Sequence, residues 1–102
     1  MRPDFLTECL DDIQRIREGI AERSPTAAQQ FVDRVFAKVE QLLDFPQLGR
    51  VVPELGQPTV RELFYRQYRI VYRIKLDGRI DVLLVQSGYY PLEEGRLPKN
   101  SA

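Results

Sequence analysis

The sequence predicts an α+β fold, in which an N-terminal antiparallel helical hairpin packs on a small, curved, antiparallel β-sheet. Three observations lead to this prediction. Every second residue from 68 to 76 is aromatic or aliphatic while arginine, valine and lysine stand between them, an Asp-Gly pair follows directly, and two amphipathic helical patterns precede residue 45. Alternation with a period of two is typical of a half-buried strand, whereas apolar residues three and four positions apart indicate a helix with one buried face.

The predicted sheet is a meander of three strands. Its central strand runs from Tyr68 to Leu76, and Asp77-Gly78 joins it to a strand over residues 79–85. Asp-Gly suits a type I′ hairpin turn, because both central residues of that turn need a positive φ. A further strand over residues 60–65 pairs with the central one. One face of this sheet is apolar, and the other is rich in arginine.

Two helices are predicted before the sheet. The first spans Asp4 to Glu22, and the second spans Pro25 to about Asp44. Ser24 and Pro25 favour a helix start, because serine is a preferred N-cap and proline suits the first helical position. The short connection makes the two helices antiparallel neighbours.

Each helix is expected to place an apolar stripe on the sheet. In the second helix, Phe31, Val35 and Phe36 should lie at this interface. The opposite side of the first helix should be solvated. The apolar stripe of the first helix comprises Phe5, Leu6, Cys9, Leu10, Ile13, Ile16 or Arg17, and Ile20, and its polar face comprises Glu8, Asp11, Asp12, Gln14, Arg15 and Glu18.

One domain is expected, because 102 residues suffice for a single modest core. We predict that this domain spans residues 1–92. Residues 93–102 are polar and are predicted to form a flexible C-terminal tail. Residues 46–58, rich in glycine and proline, are predicted to be a loop between the helices and the sheet.

Several classes of chemistry are excluded by composition. The sequence has no histidine and one cysteine, Cys9. Histidine is the commonest general base and a common zinc ligand, so we expect no metal site and no cofactor. A catalytic triad that depends on histidine is excluded for the same reason. No apolar run approaches the roughly 20 residues of a membrane span, and no signal-peptide pattern opens the chain, so a cytoplasmic location is expected.

Charge is balanced overall but unevenly distributed. Residues 1–60 hold 7 basic and 10 acidic residues, whereas residues 61–102 hold 8 and 5. A positive field on the sheet could bind phosphate or an acidic protein segment. Arginine can stabilise charge on a scissile phosphate, and tyrosine can stack on a base or transfer a proton. Solvated strand arginines without a chemical role are the alternative. The candidate catalytic residues are Arg61, Arg69, Tyr89 and Tyr90.

Several segments match a known family in composition and order. They are DDIQRIREGIA at 11–21, SPTAAQQF at 24–31, LLDFPQLGRVVPE at 42–54, REL at 61–63, YRIVYRI at 68–74 and RIDVLLV at 79–85. The chain thereby resembles the toxins of type II toxin–antitoxin systems, the RelE/ParE superfamily. The resemblance implies a small cytoplasmic toxin that is neutralised by a cognate antitoxin.

The superfamily divides by target. RelE-like members cleave mRNA in the ribosomal A site, whereas ParE-like members inhibit DNA gyrase and lack the nuclease residues. By resemblance, Arg69 matches the arginine that RelE-like nucleases use on the phosphate, and Tyr89 or Tyr90 takes the place of their C-terminal tyrosine. Arg61 lies on the strand that carries lysines in those nucleases.

Three departures from the RelE-like pattern favour a ParE-like toxin. The strand over 60–65 has no lysine, the segment 87–90 replaces a His-Gly-x-Arg sequence, and the chain has no net charge where ribosome-directed toxins are strongly basic. We therefore expect inhibition of growth through DNA gyrase. A metal-independent mRNA endoribonuclease and a non-toxic protein-binding relative are the alternatives.

The resemblance also implies an N-terminal strand before the first helix. Pro3 and the early helical pattern leave room for a stub of that strand or for none. An edge of the sheet would then be open to strand addition by the antitoxin. We expect an acidic, amphipathic antitoxin segment to cross the helical hairpin and to contact Arg61, Arg73 and Lys75.

Overall fold

Two helices cover one face of a five-stranded sheet in the computed structural model, which describes residues 3–98. The predicted α+β fold, a helical hairpin on a small sheet, is confirmed. Neither helix is long and apolar enough to cross a membrane within this described range. In chain order the elements are β1 (Asp4–Phe5), α1 (Thr7–Ala21), α2 (Pro25–Glu40), β2 (Arg50–Val51), β3 (Val60–Tyr65), β4 (Tyr68–Ile74) and β5 (Ile80–Ser87), with short 3-10 helices at Gln41–Leu43 and Glu94–Arg96.

The strand order across the sheet is β1-β5-β4-β3-β2. The predicted meander β3-β4-β5 is present and antiparallel. Two short edge strands extend it: β1 pairs parallel with β5, and β2 pairs antiparallel with β3. The loop predicted over 46–58 therefore contains a strand, which has only two residues and is too short to show a periodic pattern.

The N-terminal strand is a stub, one of the two outcomes that the sequence allowed. Asp4 and Phe5 pair with Asp81 and Val82, and the N–H of the next residue, Leu6, donates to the carbonyl of Val82 over 3.1 Å. The first helix therefore begins at Thr7 rather than at Asp4, because the preceding backbone groups are engaged by the sheet.

The turn between β4 and β5 differs from the predicted type I′ geometry. Gly78 has a φ of +86°, but Asp77 is not among the residues with positive φ. The N–H of Gly78 donates to the carbonyl of Lys75, and the N–H of Lys75 donates to the carbonyl of Arg79. This pattern is that of a longer hairpin loop with glycine in the left-handed position, which a bulged turn requires.

The main core lies between the helices and the sheet. Phe31 and Val35 of α2 are fully buried there, together with Ile70 and Tyr72 of β4. Phe36, which we predicted at the same interface, is 40% exposed. Its ring contacts that of Phe5, with centroids 4.6 Å apart, so it packs at the rim of the sheet instead of under the helix.

The other face of the sheet is also covered, which contradicts the predicted wet, arginine-rich surface. Val60, Val71, Leu83 and Leu84 are buried in a second apolar cluster on that side. Residues of the loop after β2 and of the C-terminal segment close over it, namely Val52, Leu55, Leu92 and Leu97. Strand β5 is therefore buried on both faces, in agreement with its nearly continuous apolar sequence.

Two contacts attach residues 93–98 to the domain. Arg96 forms an ion pair with Asp12 at 2.9 Å, and Leu97 packs against the second apolar cluster. This part of the predicted flexible tail is thus held by specific side chains, while residues 99–102 lie outside the described range.

Helix α1 is rotated relative to the predicted stripe. Asp12, assigned to the wet face, is buried, whereas Leu10, assigned to the core, is exposed. The reason is that α1 runs along the part of β5 that the short strand β1 leaves uncovered, where a backbone N–H needs an acceptor. Asp12 supplies it, accepting a hydrogen bond from the N–H of Val85 over 3.1 Å.

Candidate functional site

Arg69 lies at the centre of the sheet and is held by carboxylates. Its two terminal nitrogens donate to both carboxylate oxygens of Glu54, over 2.8 and 3.2 Å. Glu62, on the neighbouring strand β3, approaches the same guanidinium to 3.3 Å. Only 6% of Arg69 is exposed. The arginine matched to a phosphate-binding residue therefore already has two anionic partners inside the protein.

Glu54 links this arginine to two other parts of the chain. It comes from the loop after β2, and its carboxylate also accepts the backbone N–H of Leu92 over 2.9 Å. The hydrogen bonds from Arg69 and then from Leu92 lower the pKa of Glu54 from its ordinary value of 4.5 to about 2. Glu54 thus stays ionised at neutral pH and ties the C-terminal segment to the sheet.

Glu62 completes the charge network. Its side chain is fully buried, and Nε of Arg50 approaches one of its oxygens to 2.7 Å. Two arginines and two carboxylates therefore face one another on one side of the sheet. The two carboxylates therefore neutralise arginine charge that the sequence analysis expected to form an open positive surface.

Arg61 lies on the opposite face from Arg69. It is paired across the strands with Tyr72, on the helix side, whereas Arg69 is paired with Phe64. Arg61 donates to the backbone carbonyls of Pro58 and Gly49, each over 3.0 Å. The structure therefore does not bring the two candidate arginines together, because residues of opposite parity in paired strands point to opposite sides.

Tyr72 organises the loop that Arg61 also contacts. Its hydroxyl donates to the carbonyl of Pro46 over 2.7 Å and accepts from the N–H of Gly49 over 3.0 Å. Burial raises the pKa of Tyr72 above its ordinary value. Tyr72 is thus a buried anchor for the loop before β2.

Arg73 and Lys75, predicted to contact the antitoxin, face an internal acid. Arg73 is paired with Asp81 across β4 and β5, and Nζ of Lys75 lies 3.8 Å from Oδ2 of Asp81. Arg73 is buried, and this burial lowers its pKa, while Asp81 opposes the shift. A single carboxylate, that of Asp81, therefore lies beside both cations, and both side chains are mostly buried.

Tyr89 and Tyr90 follow β5 and are exposed. The side chain of Gln86 donates to the backbone carbonyl of Tyr90, which fixes the chain after the strand. Both rings are open to another molecule, whereas the candidate arginine of β4, Arg69, is engaged by its carboxylates.

An open groove lies between the two helices and the start of β4. Arg15 and Arg23 supply its charged residues, and its apolar lining comprises Ile16, Ile20 and Ala27. We call this surface the basic groove. It is lined by no carboxylate within residues 3–98, and it is suited to an acidic, amphipathic segment.

The sequence interpretation missed Glu54, Glu62 and Asp12. A signal existed for Glu62. Neighbouring residues of a strand point to opposite faces, so Glu62 lies on the face opposite Arg61, which is the face of Arg69. Glu54 and Asp12 had no comparable signal, because their partners are 15 and 73 residues away in the chain.

Comparison with known proteins agrees with this architecture. A family model described as the ParE toxin of the type II toxin–antitoxin system parDE matches residues 4–88. The chain belongs to the ParE toxin family. The resemblance to the RelE/ParE superfamily is thereby confirmed, and the matching branch is ParE.

A solved structure shares the fold of this ParE-family chain. It is described as a chromosomal ParDE TA system from P. aeruginosa, with a TM-score of 0.68 and 20% sequence identity, covering 85% of this chain and 95% of that one. Comparison with curated protein sequences gives no significant match.

Proposed function

We propose that this chain is a growth-inhibiting toxin that acts in the cytoplasm on DNA gyrase and that a cognate antitoxin neutralises. Membership of the ParE family supports this proposal. The observation that carries the choice of gyrase over mRNA is the closed state of Arg69. A RelE-like nuclease needs this arginine on the substrate phosphate, whereas here Glu54 and Glu62 occupy its guanidinium.

A phosphate could reach Arg69 only by displacing two carboxylates. One of them, Glu62, is fully buried and cannot swing into solvent without moving β3. A phosphate brought beside these acids would also meet like charge, which disfavours binding. The second candidate arginine, Arg61, is on the other face of the sheet and gives no help. These features support a toxin without nuclease chemistry.

The test is induced expression combined with two assays of the purified protein. We expect growth arrest, inhibition of gyrase supercoiling and no toxin-specific cleavage in mapped transcripts. Cleavage of mRNA at the ribosome without gyrase inhibition would support the endoribonuclease alternative. Absence of growth arrest at full expression would support a non-toxic binding protein.

Substitution of Arg69 alone is a poor test of catalysis. Removing one partner of a buried ion pair costs about 3–5 kcal/mol, so a loss of activity in Arg69→Ala would not distinguish lost chemistry from lost stability. The double variant Arg69→Met with Glu54→Gln removes the arginine together with the carboxylate that binds it through two hydrogen bonds, and it leaves Glu62 paired with Arg50. We expect this variant, once shown to be folded by circular dichroism, to inhibit gyrase. A folded double variant without toxicity would argue for a direct role of Arg69.

For the antitoxin, the structure supports two contact surfaces. The basic groove can take an acidic amphipathic segment, with Arg23 exposed at its side. An extended segment can pair with β3, because β2 pairs only with Arg61 and Glu62 and leaves residues 63–65 beyond it. The β5 edge is less suited, since β1 and Asp12 already engage Val82 and Val85 there.

Hydrogen exchange with and without the cognate antitoxin tests these surfaces. Protection should appear in residues 63–65 and along the basic groove. Arg23→Glu should weaken antitoxin binding, whereas Arg34→Glu, an exposed arginine of α2 outside the groove, should leave it unchanged. Protection confined to the C-terminal segment after Leu92 would contradict both assignments.

A further inference from the structure

A second open groove lies where the turn after α2 meets the β4–β5 hairpin. Its lining includes Phe45, Pro46 and Leu48 from the turn, Ile74 from the end of β4, and Asp44. We call it the hairpin groove. It is separate from the basic groove, with which it shares no lining residue.

The apolar side chains of the hairpin groove are poorly explained by the fold. Phe45 is 64% exposed and Leu48 is 48% exposed. Leu76, at the tip of the same hairpin and two residues from Ile74, is almost completely exposed. Large apolar side chains that gather on the surface without supporting the core are typical of a site that another molecule covers.

A neighbouring groove extends the same kind of surface. It is lined by Phe5, Phe36 and Leu43, together with Glu40. The two grooves adjoin along the chain, because Leu43 lines one and Asp44 lines the other. In both, the charged lining residue is an acid, and neither is lined by lysine or arginine within residues 3–98.

The charge of these grooves decides which partner they suit. The basic groove carries Arg15, which pairs with Asp12 at 2.7 Å, and the exposed Arg23, so Arg23 is the residue that an acidic antitoxin segment would meet. The same acidic segment would meet Glu40 and Asp44 in the apolar grooves, where like charges oppose association. The apolar grooves therefore suit a different partner, which offers apolar side chains next to positive charge.

We propose that the hairpin groove is the surface that docks the toxin on its protein target. The target surface would insert an apolar side chain between Phe45 and Leu48 and place a lysine or arginine beside Asp44. This inference rests on the proposed function, in which the target is DNA gyrase. It adds a division of surfaces: the antitoxin binds the basic groove, and the target binds the hairpin groove.

The test compares substitutions of equal size at equal exposure. Leu48→Ala removes an apolar contact from the groove, and Leu10→Ala removes one from α1, where the leucine is 46% exposed and lines none of these grooves. We expect Phe45→Ala and Leu48→Ala each to raise the toxin concentration for half-inhibition of gyrase supercoiling about tenfold, as for a central interface residue. Leu10→Ala should inhibit like the wild type.

A charge reversal gives an independent readout. Asp44→Lys should weaken gyrase inhibition, and the loss should be greatest at low salt, where electrostatic attraction is least screened. Asp11→Lys, at an exposed position of α1, is the matched control and should change little. The melting temperature and the affinity for the cognate antitoxin are measured for every variant and should stay close to those of the wild type.

Four outcomes would overturn the inference. Wild-type inhibition by Phe45→Ala and Leu48→Ala would show that the hairpin groove does not contact the target. Loss of antitoxin binding in these variants, with gyrase inhibition retained, would assign the groove to the antitoxin. Self-association of the wild type that Phe45→Ala abolishes would assign it to a second copy. Failure of the wild type itself to inhibit gyrase would refute the proposed function, a result distinct from the other three.

Discussion

The carboxylate of Asp12 in α1 accepts a hydrogen bond from the backbone N–H of Val85 in β5, over 3.1 Å. The same carboxylate contacts Arg15 at 2.7 Å and Arg96 at 2.9 Å. One buried side chain therefore closes the edge of β5, where the stub β1 has ended, and holds the C-terminal segment against the domain. Strand edges that remain open invite pairing with other chains, and here a helix side chain prevents it.

Substitution of Asp12 should open this edge. Asp12→Ala leaves the buried N–H of Val85 without its acceptor, which costs about 1–3 kcal/mol. We expect a lower free energy of unfolding and faster hydrogen exchange at Val85. Asp11→Ala, one position earlier and exposed, should change neither. An unchanged exchange rate at Val85 in Asp12→Ala would show that the hydrogen bond contributes little.

The ion pair of Glu54 predicts a specific dependence of stability on pH. The pKa of Glu54 is lowered in the folded protein to about 2, from an ordinary value of 4.5. A lowered pKa stabilises the folded state fully above the unfolded pKa, and this contribution is lost as the pH falls toward the folded pKa. The wild type should therefore exceed Glu54→Gln in stability by a constant amount above about pH 6, and this difference should shrink between pH 4.5 and 2.

Urea unfolding at neutral and acidic pH measures this difference directly. Taking the difference between the two proteins cancels the contribution of the other carboxylates, which titrate in both. A stability difference that persisted unchanged at pH 2 would mean that charge on Glu54 is not what binds Arg69 to the loop.

Phe31 and Phe36 should differ in their contribution to stability, although both belong to the apolar stripe of α2. Phe31 is fully buried, with its ring edge-on to that of Tyr68 at 5.1 Å. Phe31→Ala should cost about 3–5 kcal/mol, as expected for a buried ring. Phe36→Ala removes a half-exposed ring and should cost clearly less. Chemical denaturation of both variants checks this ranking, and equal losses would contradict the packing described here.

Gly49 and Gly19 should respond to alanine in opposite directions. A Cβ at Gly49 would lie 2.6 Å from the carbonyl oxygen of Glu62 and 2.8 Å from the ring of Tyr72, so Gly49→Ala must displace the loop or β3. We expect a loss of about 1–3 kcal/mol, typical of overpacking.

A Cβ at Gly19, within α1, would meet nothing within 4 Å. Gly19→Ala should stabilise by about 0.5–1 kcal/mol, because alanine loses less backbone entropy in a helix. Thermal unfolding distinguishes the two, and a neutral Gly49→Ala would show that the loop yields easily.

The two helices, the three-stranded meander and the family could be predicted from the sequence. These features depend on local signals. Alternation from 68 to 76 specifies a strand, and the Ser24-Pro25 start is realised in the structure, where the hydroxyl of Ser24 accepts the N–H of Ala27 over 3.1 Å. The length of β1 was left between a stub and nothing, because two residues carry no period.

The segments that cover the arginine-bearing face of the sheet could not be predicted from the sequence. Alternation tells which residues share a face of a strand, but not which distant segment packs on it. The loop that carries Glu54 and the segment around Leu92 close over Arg69, and they turn an expected open site into a buried ion pair. Asp12 is a second example. Its position in the helix predicted an exposed side chain, but the side chain is buried because its carboxylate accepts the N–H of Val85. The local pattern shows which residues share a face of a strand or helix, whereas contacts between distant segments determine which of those residues are buried.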